Sequence, residues 1–131
     1  MKDFVVFEIA GEVPSKKNSR RLVTSGGRVR SLPSAAHEKW HRGAVLAIRS
    51  QNGGKPLPCR ECVRVDCAFF HGDKRRRDHN NQMASILDLL VDAGVIADDS
   101  WDIVGEESCR GEYRKGRAGA RIEITILGGD R

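Results

Sequence analysis

An α+β fold, a mixed β-sheet with two main helices packed on one of its faces, is predicted by three observations. Short segments rich in β-branched and aromatic residues recur along the chain. Two longer segments carry apolar residues at helical spacing. The resulting order, β-ββ-α-β-α-β-β, interleaves strands and helices in a way that one sheet with a covered face accommodates. With 131 residues, a single domain over 1–131 is expected, large enough to bury a core without a staple.

Phe4 to Ala10 (Phe-Val-Val-Phe-Glu-Ile-Ala) reads as a buried strand, and Gly11 to Ser19 breaks it. Arg21 to Thr24 and Arg28 to Leu32 flank Ser25-Gly26-Gly27, whose glycines tolerate the positive φ of a tight hairpin turn. After Pro33, Ser34 can cap a first helix running to about Ser50, with Trp40, Ala44, Ala47 and Ile48 on its apolar face. Asn52-Gly53-Gly54 stops it. Cys62 to Phe70 is a further strand, leading into the basic loop His71 to Arg77. The second helix is expected from about His79 to Ala93. Met83, Ile86, Leu87 and Leu90 face the core, Asn81, Ser85, Asp88 and Asp92 lie on the opposite face, and Gly94 ends the helix. Asp102 to Cys109 and the alternating segment Ala120 to Leu127 complete the strands.

Charge narrows the function classes. The chain has 23 Lys and Arg against 18 Asp and Glu, a net charge of +5, which fits a polyanionic partner. Yet from Asp78 to Glu107 there is no Lys or Arg, only eight carboxylates. Cutting a phosphodiester with a metal needs both signs, bases to hold phosphates and carboxylates to hold cations. The segment Arg75-Arg76-Arg77-Asp78-His79-Asn80-Asn81, followed by Asp98-Asp99, supplies both. Hard cations such as Mg²⁺ take oxygen ligands, which Asp78, Asn80, Asp98 and Asp99 offer. The plainer alternative makes Asp78 a helix N-cap and Asp98-Asp99 a solvated turn. Lys16, Lys17, Arg20 and Arg21, with Lys74, Arg75, Arg76, Arg77 and Asn81, are the candidate nucleic-acid contacts. Few aromatics are present, which argues against a stacking platform for single strands.

Several classes are excluded. No apolar run could span a bilayer and no signal peptide opens the chain, so a cytoplasmic protein is expected, with its four cysteines reduced. No glycine-rich phosphate loop is present, so no nucleotide cofactor is expected, and no nucleophilic Ser or Cys motif occurs. Cys59-x-x-Cys62, with Cys67 and His71 downstream, is half of a zinc pattern. Ordinary thiols are the favoured reading over a zinc-stabilised interaction module, because alternation along a strand works against convergence.

The stretch Arg75 to Asp99, read as Arg-Arg-Arg-Asp-x-x-Asn and then Leu-Leu-Val-Asp-Ala-Gly-Val-Ile-x-Asp-Asp, resembles the core of the RusA family of Holliday junction resolvases. Val13-Pro14-Ser15-Lys16-Lys17-Asn18-Ser19, and Pro33-Ser34 with Trp40 downstream, match the same family in order and spacing. The resemblance spans nearly the whole chain. It implies a RusA-like fold and a homodimer that nicks four-way DNA junctions with Mg²⁺, for which Mn²⁺ can substitute. Asp78 and Asp99 match the first and last of the family's essential aspartates, and Asp98 and Asn81 flanking positions. Where the family has a second aspartate this chain has Asn80, which offers an oxygen without charge, and where it has a lysine this chain has Ala84. Asn80 therefore joins Asp78 and Asp99 as a candidate catalytic residue, and a binder of branched DNA that no longer cuts is the alternative.

Overall fold

A computed structural model describes residues 4–16, 20–52 and 60–127. The chain runs β1 (Phe4–Ala10), β2 (Arg20–Ser25), β3 (Arg28–Pro33), α1 (Ala35–Gln51), β4 (Val63–His71), α2 (His79–Asp92), β5 (Val104–Tyr113) and β6 (Gly119–Ile126). This is the predicted order. The main sheet is mixed, β1-β6-β4-β5, with β1 and β4 each antiparallel to β6 and β5 parallel to β4. A parallel pair needs a long crossover, and α2 provides it.

Register explains the single core. Val65, Cys67 and Phe69 of β4 stand opposite Ile124, Ile122 and Ala120 of β6, which in turn oppose Val5, Phe7 and Ile9 of β1. Because strand side chains alternate, these rows form one apolar face. Ala44 and Ile48 of α1, with Met83, Ile86, Leu89 and Leu90 of α2, pack into the same cluster, so both helices cover that face. Ser34 caps α1 by accepting the His37 N–H at 3.1 Å. Gln51, at the other end of α1, takes the Glu8 N–H at 2.8 Å and donates to the Glu8 carbonyl at 2.7 Å. That amide occupies polar groups on the free edge of β1.

The β2–β3 hairpin forms its own two-stranded sheet, with Gly26 and Gly27 at φ 58° and 78° between the paired Ser25 and Arg28. Gly94, at φ 77°, ends the α2 segment as predicted.

One expectation needed correction. β5 was expected over Asp102 to Cys109 but runs Val104–Tyr113. Ile103 and Val104 donate to the Ser100 carbonyl, which folds Asp102 into a turn, and β5 then continues as a polar edge strand because its pairing with β4 needs only backbone. The polar side of α2 is also less open than its composition implies. Ser85 is wholly buried and Gln82 nearly so. Both are covered by the segment after β1. No described helix is long and apolar enough to cross a membrane.

Candidate active site

Asp78 is the N-cap of α2. Its backbone is extended, Oδ1 accepts the Asn80 N–H at 2.9 Å, and Oδ2 accepts from Asn81 Nδ2 at 3.2 Å. Capping and metal binding are compatible, since each carboxylate oxygen accepts several hydrogen bonds or ligands and, among the described residues, one contact is made at each. Asp78 and Asn80 are both exposed. Two hollows flank Asp78. One of about 300 Å³ lies between Glu12–Ser15 and Arg75–Asp78, and one of about 480 Å³ is lined by Arg76, Arg77, Asp78 and His79.

The basic loop is folded by its own carboxylate. Asp73 Oδ1 accepts the Arg75 N–H at 2.9 Å, an Asx turn, and Arg77 Nη2 at 2.8 Å. These bonds, the backbone one foremost, pull the Asp73 carboxyl down to about 2. Arg75 is 81% exposed, Arg76 is exposed, and Lys74 Nζ sits 5.0 Å from the Tyr113 ring centre. Arg77, another candidate phosphate contact, is turned inward. Its side chain is only 13% exposed, donating to the Asp73 and Arg75 carbonyls and ion-paired to both Asp73 and Glu12 at 2.8 Å.

Glu12 is the hub beneath the loop. Besides Arg77, its carboxylate takes His71 Nδ1 at 3.0 Å and Gln82 Nε2 at 3.2 Å. A carboxylate only accepts, so the His71 hydrogen lies on Nδ1. His71 Nε2 in turn faces His79 Nε2 at 3.2 Å, with ring planes 17° apart and centres 5.4 Å apart. One hydrogen fits between those nitrogens. Phe69 stacks on both rings, and Gly111 on β5 leaves room for them, since a Cβ there would lie 2.7 Å from His79.

Residues 12–16 form a strap along α2. Gln82 Nε2 donates to the Val13 carbonyl at 2.8 Å, Ser85 Oγ to the Pro14 carbonyl at 2.7 Å, and the Lys16 N–H to the Asn81 carbonyl at 3.2 Å. Lys16 Nζ, another expected phosphate contact, pairs with Asp88 at 2.9 Å, and Asn81 is engaged by the cap. Arg20 and Arg21 open β2, while Lys17 lies outside the described residues.

Asp98 and Asp99 are exposed at the other end of α2. Asp98 Oδ1 accepts the Asp99 N–H at 2.8 Å, and the following turn delivers Ile103, whose carbonyl accepts the Val63 N–H at the start of β4. Asp78 instead follows the end of β4. The 14 residues of α2 span about 21 Å, so one chain does not bring Asp78 and Asp99 together. Among the described residues no three His, Cys, Asp or Glu side chains form a metal-holding group.

Cys59 lies outside the described residues. Cys62 and Cys67 are buried, and His71 is occupied by Glu12 and His79 rather than aimed at a thiol. Burial pushes the Cys67 thiol up to about 12, which suits a packing residue. Cys109 packs against the core.

Reading the sequence missed Glu12, His79 and the link of both to His71. Fifty-nine positions separate Glu12 from His71, and no spacing rule connects them. It also missed His37 and His41, four apart on α1, where helical spacing was signal enough. His41 Nε2 meets Asp92 at 2.7 Å and fastens α1 to α2.

The described site sits within a stretch matched by a family model. Residues 12–127 match the model for "Endodeoxyribonuclease RusA". The chain is also similar to a protein of Aquifex aeolicus (strain VF5) named crossover junction endodeoxyribonuclease RusA, with 27% identity over 113 residues, covering 86% of this chain and 85% of that protein.

Proposed function

The chain belongs to the RusA family of endodeoxyribonucleases, and from that premise we propose that it is a metal-dependent, structure-selective endodeoxyribonuclease that resolves Holliday junctions and other branched DNA in recombination and repair. The observation that carries this reading is the juxtaposition at the start of α2: an exposed carboxylate, Asp78, follows directly on a loop that turns Lys74, Arg75 and Arg76 outward. Those three bases hold phosphates, and the strap and cap keep the carboxylate at a defined place beside them.

Mg²⁺, or Mn²⁺ in its place, is the proposed cofactor, held by Asp78 and the Asn80 carbonyl oxygen with Asp98 and Asp99. It supplies charge neutralisation at the phosphate and activation of the attacking water. Two chains are needed to complete that set. Asp78 and Asp99 stand at opposite ends of α2, so a homodimer in which one copy's Asp98-Asp99 turn meets its partner's α2 N-terminus brings the carboxylates together. The exposed turn bearing Asp98 and Asp99 also carries Trp101, 74% exposed, a ring available to such an interface.

Incubation of the purified protein with a labelled four-way junction and Mg²⁺ or Mn²⁺ tests the proposal. Paired nicks are expected from the wild type and none from Asp78→Asn or Asp99→Asn. Equal nicking by the variants defeats it.

Asn80 and Ala84 favour a second reading, a junction-binding protein that does not cut, since the site has lost one negative charge and one lysine relative to the family pattern. Salt-sensitive junction binding without nicks, with cutting recovered in Asn80→Asp/Ala84→Lys, selects that reading.

A further inference from the structure

We propose that Glu12 is the positioning residue of this site, its carboxylate gripping both neighbours of Asp78: Arg77 directly and His79 through His71. The inference rests on Asp78 belonging to the site, as proposed above. Asp78 is exposed, and its own contacts are short-range, to Asn80 and Asn81 within the first turn of α2. The strap fastens that turn at Asn81 and Gln82, and something must also hold the residues that flank Asp78. Glu12 does so from 66 positions away in the chain, through the residue before Asp78 and the residue after it.

Both arms are built from contacts of good length. Arg77 Nη2 lies 2.8 Å from Glu12 Oε1, and the same guanidinium fastens the loop at Asp73. On the other side Glu12 Oε2 meets His71 Nδ1 at 3.0 Å, and His71 Nε2 meets His79 Nε2 at 3.2 Å. His71 ends β4, so the second arm runs into the sheet. Gln82 closes the hub by donating to Glu12 Oε2 and to the Val13 carbonyl, which fixes Glu12 against α2 itself. Glu12 is 29% exposed and His71 14%, so this ion network is shielded more than the outward bases are.

Three donors converge on the two oxygens of Glu12. A glutamine there has the same shape but one acceptor oxygen, and its amide nitrogen would face donors. At least one arm must then let go. Removing the carboxylate also leaves Arg77 with only Asp73 as a charged partner among the described residues, freeing part of its charge for a phosphate.

The experiment compares wild type with Glu12→Gln on the full chain by amide hydrogen exchange, thermal unfolding, junction binding across salt, and nicking across Mg²⁺ concentrations. Exchange of the Asn80 N–H, which reports the Asp78 cap, is expected to quicken on the order of tenfold, about the loss of one hydrogen bond, while amides of Leu89 and Leu90 keep their protection. Nicking is expected to slow by about tenfold or more and to need more Mg²⁺ for half its maximal rate, as misplacement of a ligand predicts. Junction binding is expected to hold or tighten at low salt, with a steeper salt dependence. A merely structural role lowers binding, stability and all α2 protection together.

Should Glu12→Gln not fold, His71→Gln and Arg77→Lys cut one arm each and are expected to give part of the same Asn80 effect. An Asn80 amide unchanged in these variants, or quickened only in step with all of α2, overturns the proposal. If the wild type makes no nicks, the proposed activity fails, and the exchange result still decides whether Glu12 holds the cap.

Discussion

The two ends of α2 carry carboxylates of the same type in different settings. At its start, Asp78 is ringed by bonds: an Asx-turn loop, the strap of residues 12–16, and the Glu12 hub. At its far end, Val95 and Ile96 enter the core, and Asp98 and Asp99 then emerge exposed, with Asp98 bonding, among the described residues, only its neighbour's N–H. The first end is prepared in advance within one chain. The second presents its charges outward beside an exposed Trp101, in a form suited to meeting another surface. Fixed geometry at one end and exposure at the other is the division of labour expected when a site is completed between two copies, and it makes the ends separable by mutation.

The largest effect is on nicking. Asp78→Asn or Asp99→Asn alone is expected to lower it by about 10²-fold or more, the scale of losing one electrostatic group at a reacting phosphate. If the carboxylates meet in trans, mixing and re-equilibrating the two variants restores about a quarter of wild-type nicking, because half the dimers are hybrid and each holds one complete site. A mixture as inactive as its components means that each chain carries a whole site.

Stability separates the ends next. Ser85→Ala cuts the strap at a buried position and leaves the Pro14 carbonyl without its partner, so a loss of about 1–3 kcal/mol in unfolding free energy is expected by denaturant titration. Asp98→Ala, at the open end, is expected to change it by no more than about 0.5 kcal/mol. Similar losses in both would erase the contrast.

Within the anchored end, Arg76 and Arg77 are adjacent in sequence and opposite in setting. Arg76→Gln is expected to reduce the salt dependence of junction binding by about 0.9, the value of one phosphate contact, and Arg77→Gln by much less. Equal reductions would show that Arg77 leaves its carboxylates when DNA binds.

The smallest effect is the pH response of the loop. The Asp73 carboxyl is depressed to about 2 from an ordinary value of 3.8, so its contribution to loop order is complete above pH 3.8 and is lost as pH falls toward 2. Amide exchange of Arg75 followed from pH 5 to pH 2 should show that loss, and Asp73→Asn should remove the pH dependence.

Most of the fold was legible because the relevant signals are local. Alternation in Ala120 to Leu127, the Ser34 cap, the Gly26-Gly27 turn and the i, i+3, i+4 apolar spacing of α2 each act over a few residues, and each element formed within a few residues of its expected bounds. Ser85 shows where that logic stops. Helical periodicity placed it on the polar face correctly, but a polar face is solvated only if nothing covers it, and the strap supplies the partner that makes burial tolerable. Arg77 differs from its neighbours for the related reason that a run of like charges looks uniform in sequence, whereas Glu12 and Asp73 together converge on this one member.

The amino-acid sequence by itself determined the elements, the acidic island inside a basic chain, and the family resemblance that the match over residues 12–127 bears out. Those properties follow from residue type and near-neighbour spacing. Only the tertiary structure decided that Glu12 meets His71, that Arg77 turns inward, and that the Asp98-Asp99 turn leads to the start of β4 while Asp78 follows its end. Such contacts depend on how the strands register and where the crossover helix ends, and a carboxylate's partners are chosen by distance in space, which sequence separation does not encode.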